Sequence, residues 1–304
     1  MNLRRRFIRL FQDPPPDLVC ELSSTGIAYA NLGPDQQLGF APLAPGVLKA
    51  SPVEQNVLQP EVLAAEVARI APPASHRRRR HAAVILPDYC ARLSVIDFDS
   101  FPSDPAEQLS LVRFRLKKTV PYDVETAAVQ YYVQPRPGPS KKLDVLVGMI
   151  PLDIVARYEA PFRATGLQPG LVTTSALAAL ALLDGVAATE ASAVTLMAKL
   201  TANALTLCAL RGQTLRLVRT VEMDSVAVEE INAVVYPTMA YIEDELGARP
   251  STIHVCGFEA VQPQLEAIWG PDLGLSAVVI DSPWGPPGEF RAGLYGYLRA
   301  QEAF

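Results

Sequence analysis

Val19-Cys20-Glu21-Leu22-Ser23, near the start of the chain, and Met197-Ala198-Lys199-Leu200-Thr201, in its second half, follow one pattern. Each is an apolar run carrying a single ionisable residue that enters a hydroxyl-rich turn and returns as another apolar run. In the first half, Leu18–Leu22 and residues 27–32 flank Ser23-Ser24-Thr25-Gly26. In the second, residues 194–200 and 205–210 flank a comparable turn, and a tight Arg211-Gly212 turn leads to residues 215–221. Apolar runs of this length, bounded by turn residues, predict β-hairpins. The same hairpin at the head of both halves predicts a duplicated, two-lobed α/β protein.

Working outward, a helix is expected near residues 61–70, and 82–86 with 93–98 read as a second pair of strands. The next segment has its own character. Asp104-Pro105-Ala106-Glu107 is a helix start, with a capping acid, proline at the first helical position and a glutamate able to reach back. That helix should stop before Pro121, followed by strands at 127–133 and 143–149 and a helix at 153–165 closed by Gly166, with Pro161 predicting a kink or early break. A strand and an alanine- and leucine-rich helix occupy 171–186, and 185–192 reads as a hinge. After the second hairpin come a helical stretch at 226–246 interrupted at Pro237, a strand at 252–256, a helix at 261–269, a strand at 277–280 and a terminal helix from about residue 289. The expected divisions are a basic tail (1–16), a first lobe (17–100), an inserted helix-strand-strand-helix α+β subdomain (101–166), a return to the first lobe with the hinge (167–188), and a second lobe (189–304).

Composition narrows the function classes. Of 304 residues, 49% are apolar and 19% charged, which excludes a disordered chain. The longest unbroken apolar stretch, 176–183, ends at Asp184, far short of the roughly 20 residues that a bilayer demands. Asp13 and the prolines 14–16 fall where a signal peptide would need its apolar region, so a cytoplasmic protein is expected. Leu3, Phe7, Leu10 and Phe11 recur at helical spacing opposite Arg4, Arg5, Arg6 and Arg9, the pattern of a short helix lying on an anionic membrane surface. Net charge is −5, yet Arg4, Arg5, Arg6 and Arg9 with Arg77, Arg78, Arg79 and Arg80 hold eight positive charges, leaving the remainder acidic. Two isolated basic spots do not make a nucleic-acid groove. Cys20, Cys90, Cys208 and Cys256 lack metal-ligand or disulfide-framework spacing, His76, His81 and His254 form no ligand set, and Asp97 and Asp99 lie on the polar face of a strand.

Several segments together resemble the PilM family of type IV pilus assembly proteins, relatives of actin: EQLSLVRFRLKKTVPY (107–122), VQYYV (129–133), LDVLV (143–147) with the helix at 154–167, and LRGQTLRLVRTV (210–221). The resemblance covers nearly the whole chain from Asp17. It implies two lobes of ribonuclease-H-like topology facing a nucleotide cleft, with the inserted subdomain beside the first. It also implies a cytoplasmic protein peripheral to the inner membrane, which holds the cytoplasmic tail of a bitopic, PilN-like partner. Arg113, Phe114, Lys117, Tyr122, Tyr131 and Tyr132 are the candidate anchors for that peptide, since arginine and aromatics are the usual anchors in a groove. Oligomeric state stays open, a homo-oligomer included.

The nucleotide motifs that the resemblance implies are altered. Where the family has an acid followed two residues on by glycine, this chain has Glu21 and Ser23, with Ala28 in place of a lysine, and then Lys199 and Thr201. The adenosine site reads Cys256-Gly257-Phe258-Glu259, with Phe258 expected to fill space that the base needs. The helical subdomain expected after residue 221 is reduced to a few residues. A vestigial cleft without cofactor, catalytic residue or metal, and so a pseudo-ATPase scaffold, is the expectation. The alternatives are an ATP-binding switch with an atypical pocket and a cytoplasmic component of a type II secretion platform.

Overall fold

The computed structural model describes residues 16–32, 36–73, 79–134, 142–186 and 193–301. Along the chain run β1 (Leu18–Leu22), β2 (Gly26–Asn31), β3 (Gln37–Pro42), α1 (Pro60–Ile70), β4 (Arg80–Leu86), β5 (Arg92–Phe98), α2 (Pro105–Leu116), β6 (Ala127–Gln134) and β7 (Leu143–Pro151). Then follow α3 (Leu152–Ala164), β8 (Leu167–Thr174), α4 (Ser175–Ala179), β9 (Val194–Thr201), β10 (Ala204–Arg211) and β11 (Thr214–Glu222). The last elements are α5 (Val228–Leu246), β12 (Thr252–Cys256), α6 (Gln262–Leu273), β13 (Ser276–Val279) and α7 (Ala292–Gln301). No described helix is long and apolar enough to cross a membrane.

Two five-stranded sheets share one topology. The first is ordered β3-β2-β1-β4-β8 and the second β11-β10-β9-β12-β13. In each, the hairpin strands pair antiparallel and the next two strands run parallel to the central one. The pairing registers make the duplication explicit. Glu21 lies opposite Ala28 and Ile85, and Lys199 opposite Thr206 and Cys256. Both central strands are apolar on both faces, as strands flanked and covered on all sides must be.

The chain divides into two compact units, 1–91 with 151–182 and 282–304, and 92–150 with 183–281. This differs from the expected divisions in three elements. Strand β5 does not pair with β4: it lies antiparallel to β7 in a third sheet, β5-β7-β6, because the 3₁₀ turn Asp88–Cys90 carries the chain out of the first sheet. That small sheet, with α2, belongs to the unit of the second five-stranded sheet. Helix α3, expected to close the insertion, packs on α1 in the first unit. Helix α7, assigned to the second lobe, packs on α4 and against β1 and β2 in the first unit. Strand β3 is absent from the sequence reading altogether. Its Gly39 lies under the ring of Tyr29 on β2, where a Cβ would stand 2.5 Å from the ring.

Within the second unit, one irregularity joins the small sheet to the large one. The β10–β11 register shifts at Ala209/Leu210 and leaves Arg216 as the extra residue. The bulge aims the Arg216 guanidinium at the buried Asp144 carboxylate of β7, 2.5 Å away. Beside it, the Gln134 side-chain amide imitates a neighbouring strand: it donates to the Leu215 carbonyl at 2.8 Å and accepts from the Leu215 N–H at 3.0 Å.

The two prolines expected to interrupt helices are absorbed. Pro161 and Pro237 sit inside continuous helices, and beside Pro237 the Thr238 hydroxyl donates to the Val234 carbonyl at 2.7 Å. Arg80 is no solvated loop residue. Its guanidinium donates to the Pro72 carbonyl beyond α1 and the Thr165 carbonyl that ends α3, so it caps both helices. Arg79 is exposed, while Arg77 and Arg78 lie outside the described residues. All four cysteines are buried and outside any disulfide, and burial pushes the Cys20 and Cys90 thiols up, which makes them unreactive.

Candidate functional site

Glu21 sits in the middle of the first sheet and is 3% exposed. A carboxylate there needs donors, and the fold supplies them from two distant points of the chain. One oxygen accepts from the Ser175 hydroxyl at the start of α4. The other accepts from the Leu294 N–H, in the first turn of α7, at 2.8 Å. A negative charge at a helix N-terminus is also favoured by the helix dipole. The two helices cross closely at this point. A Cβ on Gly296 would lie 2.1 Å from the Ala178 carbonyl oxygen, and one on Gly293 would lie 2.8 Å from Ser175. Asp88 completes the arrangement by accepting from the Ala176 N–H at 2.6 Å. Ser23 is likewise engaged, closing its own turn by donating to the Gly26 carbonyl at 2.9 Å and accepting from the Gly26 N–H at 3.1 Å.

The second hairpin treats the same positions differently. Lys199 is 1% exposed and its ammonium donates to the Thr201 hydroxyl at 2.6 Å. The turn beyond it places Ala202 at φ +50°, and Asn203 ties that turn to the end of β11 through Met223. Gly257, at φ +80°, makes the left-handed turn after β12. Phe258, expected in the base site, is instead in the hydrophobic core: it is 1% exposed and meets Trp269 edge-on at 6.2 Å. An apolar ring beside a glycine turn is drawn inward by burial, whereas the neighbouring Glu259 stays exposed. Between β11 and α5 lie only residues 223–227, so the second unit has the reduced helical subdomain.

A bound Mg²⁺–nucleotide would need a carboxylate free to order the metal's water and open backbone N–H groups for phosphate. Glu21, with both oxygens held by internal donors, and Ser23, closed on its own turn, do not fit that group. A buried ammonium at Lys199 does not supply the metal ligand either.

The six expected peptide anchors fall on α2, on the loop that follows it and on the small sheet, but not on one surface. Asp104 caps α2 by accepting from the Ala106 and Glu107 N–H groups at 2.9 and 3.0 Å. The apolar face of the helix covers Val145, Val147 and Met149. Tyr122 and Tyr131 pack at the edge of this core, with hydroxyls on the Met149 carbonyl at 3.2 Å and Gln108 at 2.8 Å. Tyr132, one residue on, takes the opposite face of the sheet. Arg113 pairs with Glu125 at 3.1 Å. Phe114 is 75% exposed, on a helix face shared with the exposed Lys117 and Lys118. Arg4, Arg5, Arg6, Phe7, Arg9 and Phe11 lie outside the described residues.

Sequence reasoning missed Ser175, Asp88 and the joint of Gln134, Asp144 and Arg216. It also missed the Gly-Leu-Tyr-Gly run at 293–296, whose spacing on a helix was a signal for close packing.

No family model and no curated protein matches the chain. Among solved structures, it is similar to a chain of a PilM–PilN type IV pilus biogenesis complex, with 20% identity, 95% of this chain and 99% of that one covered, and a TM-score of 0.67. It is also similar to a Bacteroides thetaiotaomicron protein of unknown function with an actin-like ATPase fold, with 12% identity, 86% and 90% coverage, and a TM-score of 0.55. With its duplicated sheets and these likenesses, the chain has the two-lobed actin-like ATPase fold in the form seen in the PilM–PilN complex.

Proposed function

We propose that this protein is a non-catalytic scaffold of a type IV pilus-like assembly platform, acting on the cytoplasmic face of the inner membrane. The observation that carries the reading is the engagement of Glu21. The one acid retained at a nucleotide position is held by Ser175 and the first turn of α7. Likeness of fold to a chain solved in complex with PilN supports an assembly role with a PilN-like bitopic membrane partner. The partner's cytoplasmic tail docks through the exposed ring of Phe114, with Lys117 beside it. An exposed aromatic next to basic side chains is a common peptide anchor.

Titration calorimetry with Mg²⁺-ATP and Mg²⁺-ADP tests the first half of this reading. No saturable heat is expected at millimolar nucleotide. Saturable binding would overturn it in favour of an ATP-binding switch. Fluorescence anisotropy with the labelled cytoplasmic tail of the candidate bitopic protein tests the second. Phe114→Ser should weaken binding about tenfold or more, the scale of a hot-spot aromatic. Unchanged affinity would remove α2 from the interface.

A further inference from the structure

The first unit holds a cavity of about 470 Å³ that takes no part in the Glu21 arrangement. It opens where the end of β2 and the start of β3 meet the last turn of α7. Trp284 and Leu298 form apolar walls, and the side-chain amides of Asn31, Gln36, Gln37 and Gln301 supply the polar lining. None of its lining residues among those described is charged. Its size is in the range of pockets that enclose a small ligand or a few residues of peptide.

Three observations define the chemistry that would fill it. Asn31 donates from Nδ2 to the Ile70 carbonyl at 3.1 Å, but its Oδ1 is buried with no hydrogen-bond partner. A buried acceptor left unpaired is costly, and a donor from outside the fold would satisfy it. The Gln36, Gln37 and Gln301 amides and the Trp284 indole N–H also have no partner among the described residues. Finally, β3 is the outer strand of its sheet, so one edge of its main chain pairs with no other strand.

We propose that this cavity is a docking site for a short, uncharged, extended peptide segment of a partner protein carrying an apolar side chain. Side-chain amides present a donor and an acceptor together, which is what a peptide group also offers and requires. A strand laid along β3 extends the sheet through main-chain bonds and drops its apolar side chain between Trp284 and Leu298. An ionic ligand would lose hydration there without meeting an opposite charge among the described residues. Every lining residue belongs to the first unit and none to α2, so this site is separate from the Phe114 surface and stands or falls independently of the scaffold reading.

The chain has two tryptophans, Trp269 and Trp284, and Trp269 is buried with its indole N–H bonded to Asn232. Their indole N–H signals in a ¹⁵N-labelled full chain therefore separate the cavity from the other unit. Titration with the doubly capped dipeptide N-acetyl-Leu-Leu-N-methylamide should move the Trp284 signal saturably and leave Trp269 in place. The capped Asp-Asp dipeptide should move neither. Asn31→Leu and the exposed variant Gln37→Ala should each weaken the Leu-Leu probe about threefold or more, the scale of one lost hydrogen bond. A Trp284 signal that does not move, equal movement of both signals, or unchanged affinity in both variants overturns the proposal.

Discussion

Glu21 and Lys199 occupy the same place in two sheets of the same strand order, yet they are used in opposite ways. The glutamate is gripped by groups 154 and 273 residues further along the chain. The lysine donates to a hydroxyl two residues away on its own strand. The first position sits beneath a helix N-terminus, which favours an anion and would repel a cation. That geometry accounts for an acid surviving at one site while the other carries the opposite charge. An acid at that position is thus no sign by itself of a bound ligand, since packing also requires it.

The contrast predicts a ranked set of effects. Glu21→Ala strips the buried Leu294 N–H and the Ser175 hydroxyl of their acceptor, and should cost about 3 kcal/mol in urea unfolding. Glu21→Gln, which keeps one acceptor, should recover part of that loss. An unchanged unfolding midpoint for Glu21→Ala would erase the contrast at once. Gly296→Ala forces α7 away from α4 and should cost about 2 kcal/mol, with the same unit unfolding first by hydrogen exchange. On the other side, Thr201→Val removes one neutral acceptor from a Lys199 that has another partner, and about 1 kcal/mol is expected. A Thr201→Val loss as large as that of Glu21→Ala would mean that both positions are anchors.

The smallest effect concerns pH. By register, His254 on β12 is the counterpart of Ala83 on β4. Burial holds its imidazole below the ordinary value of 6.5. The folded protein then binds fewer protons than the unfolded chain, so stability should fall as pH drops below about 6.5. The loss should be shallow, since the side chain is only half-buried, and should disappear in His254→Ala. A stability curve that is flat between neutral and mildly acidic pH in both proteins would remove His254 from this comparison.

The hairpins were legible because turn residues and apolar runs are local. Residues 18–32 and 194–222 contain everything needed to form them. Pairing partners are not local. Nothing in Leu93-Ser94-Val95-Ile96 distinguishes a strand that returns to β4 from one that crosses to β7, and the short link at 87–91 looks like a hairpin turn until Asp88 is seen capping α4. The candidate cleft was half readable for the same reason. The charges at 21 and 199 are in the sequence, but the donors that hold Glu21 lie 154 and 273 residues away. Phe258 was misplaced because a ring after a glycine turn has two directions to point, and only the packed core with Trp269 decides between them.

Because α7 closes the first sheet from the far end of the chain, synthesis and folding run in opposite orders here. An ordinary N-terminal domain folds while the remainder is still being made. In this protein residues 92–281 contain the whole second unit, which is synthesised before α7. The first unit has its strands early but waits for residues 292–301 to cover β1 and satisfy Glu21. Until then its central carboxylate and its two glycine-lined contacts stay open. A chain cut after residue 281 would therefore hold every residue of the second unit and lack the helix that covers β1 in the first.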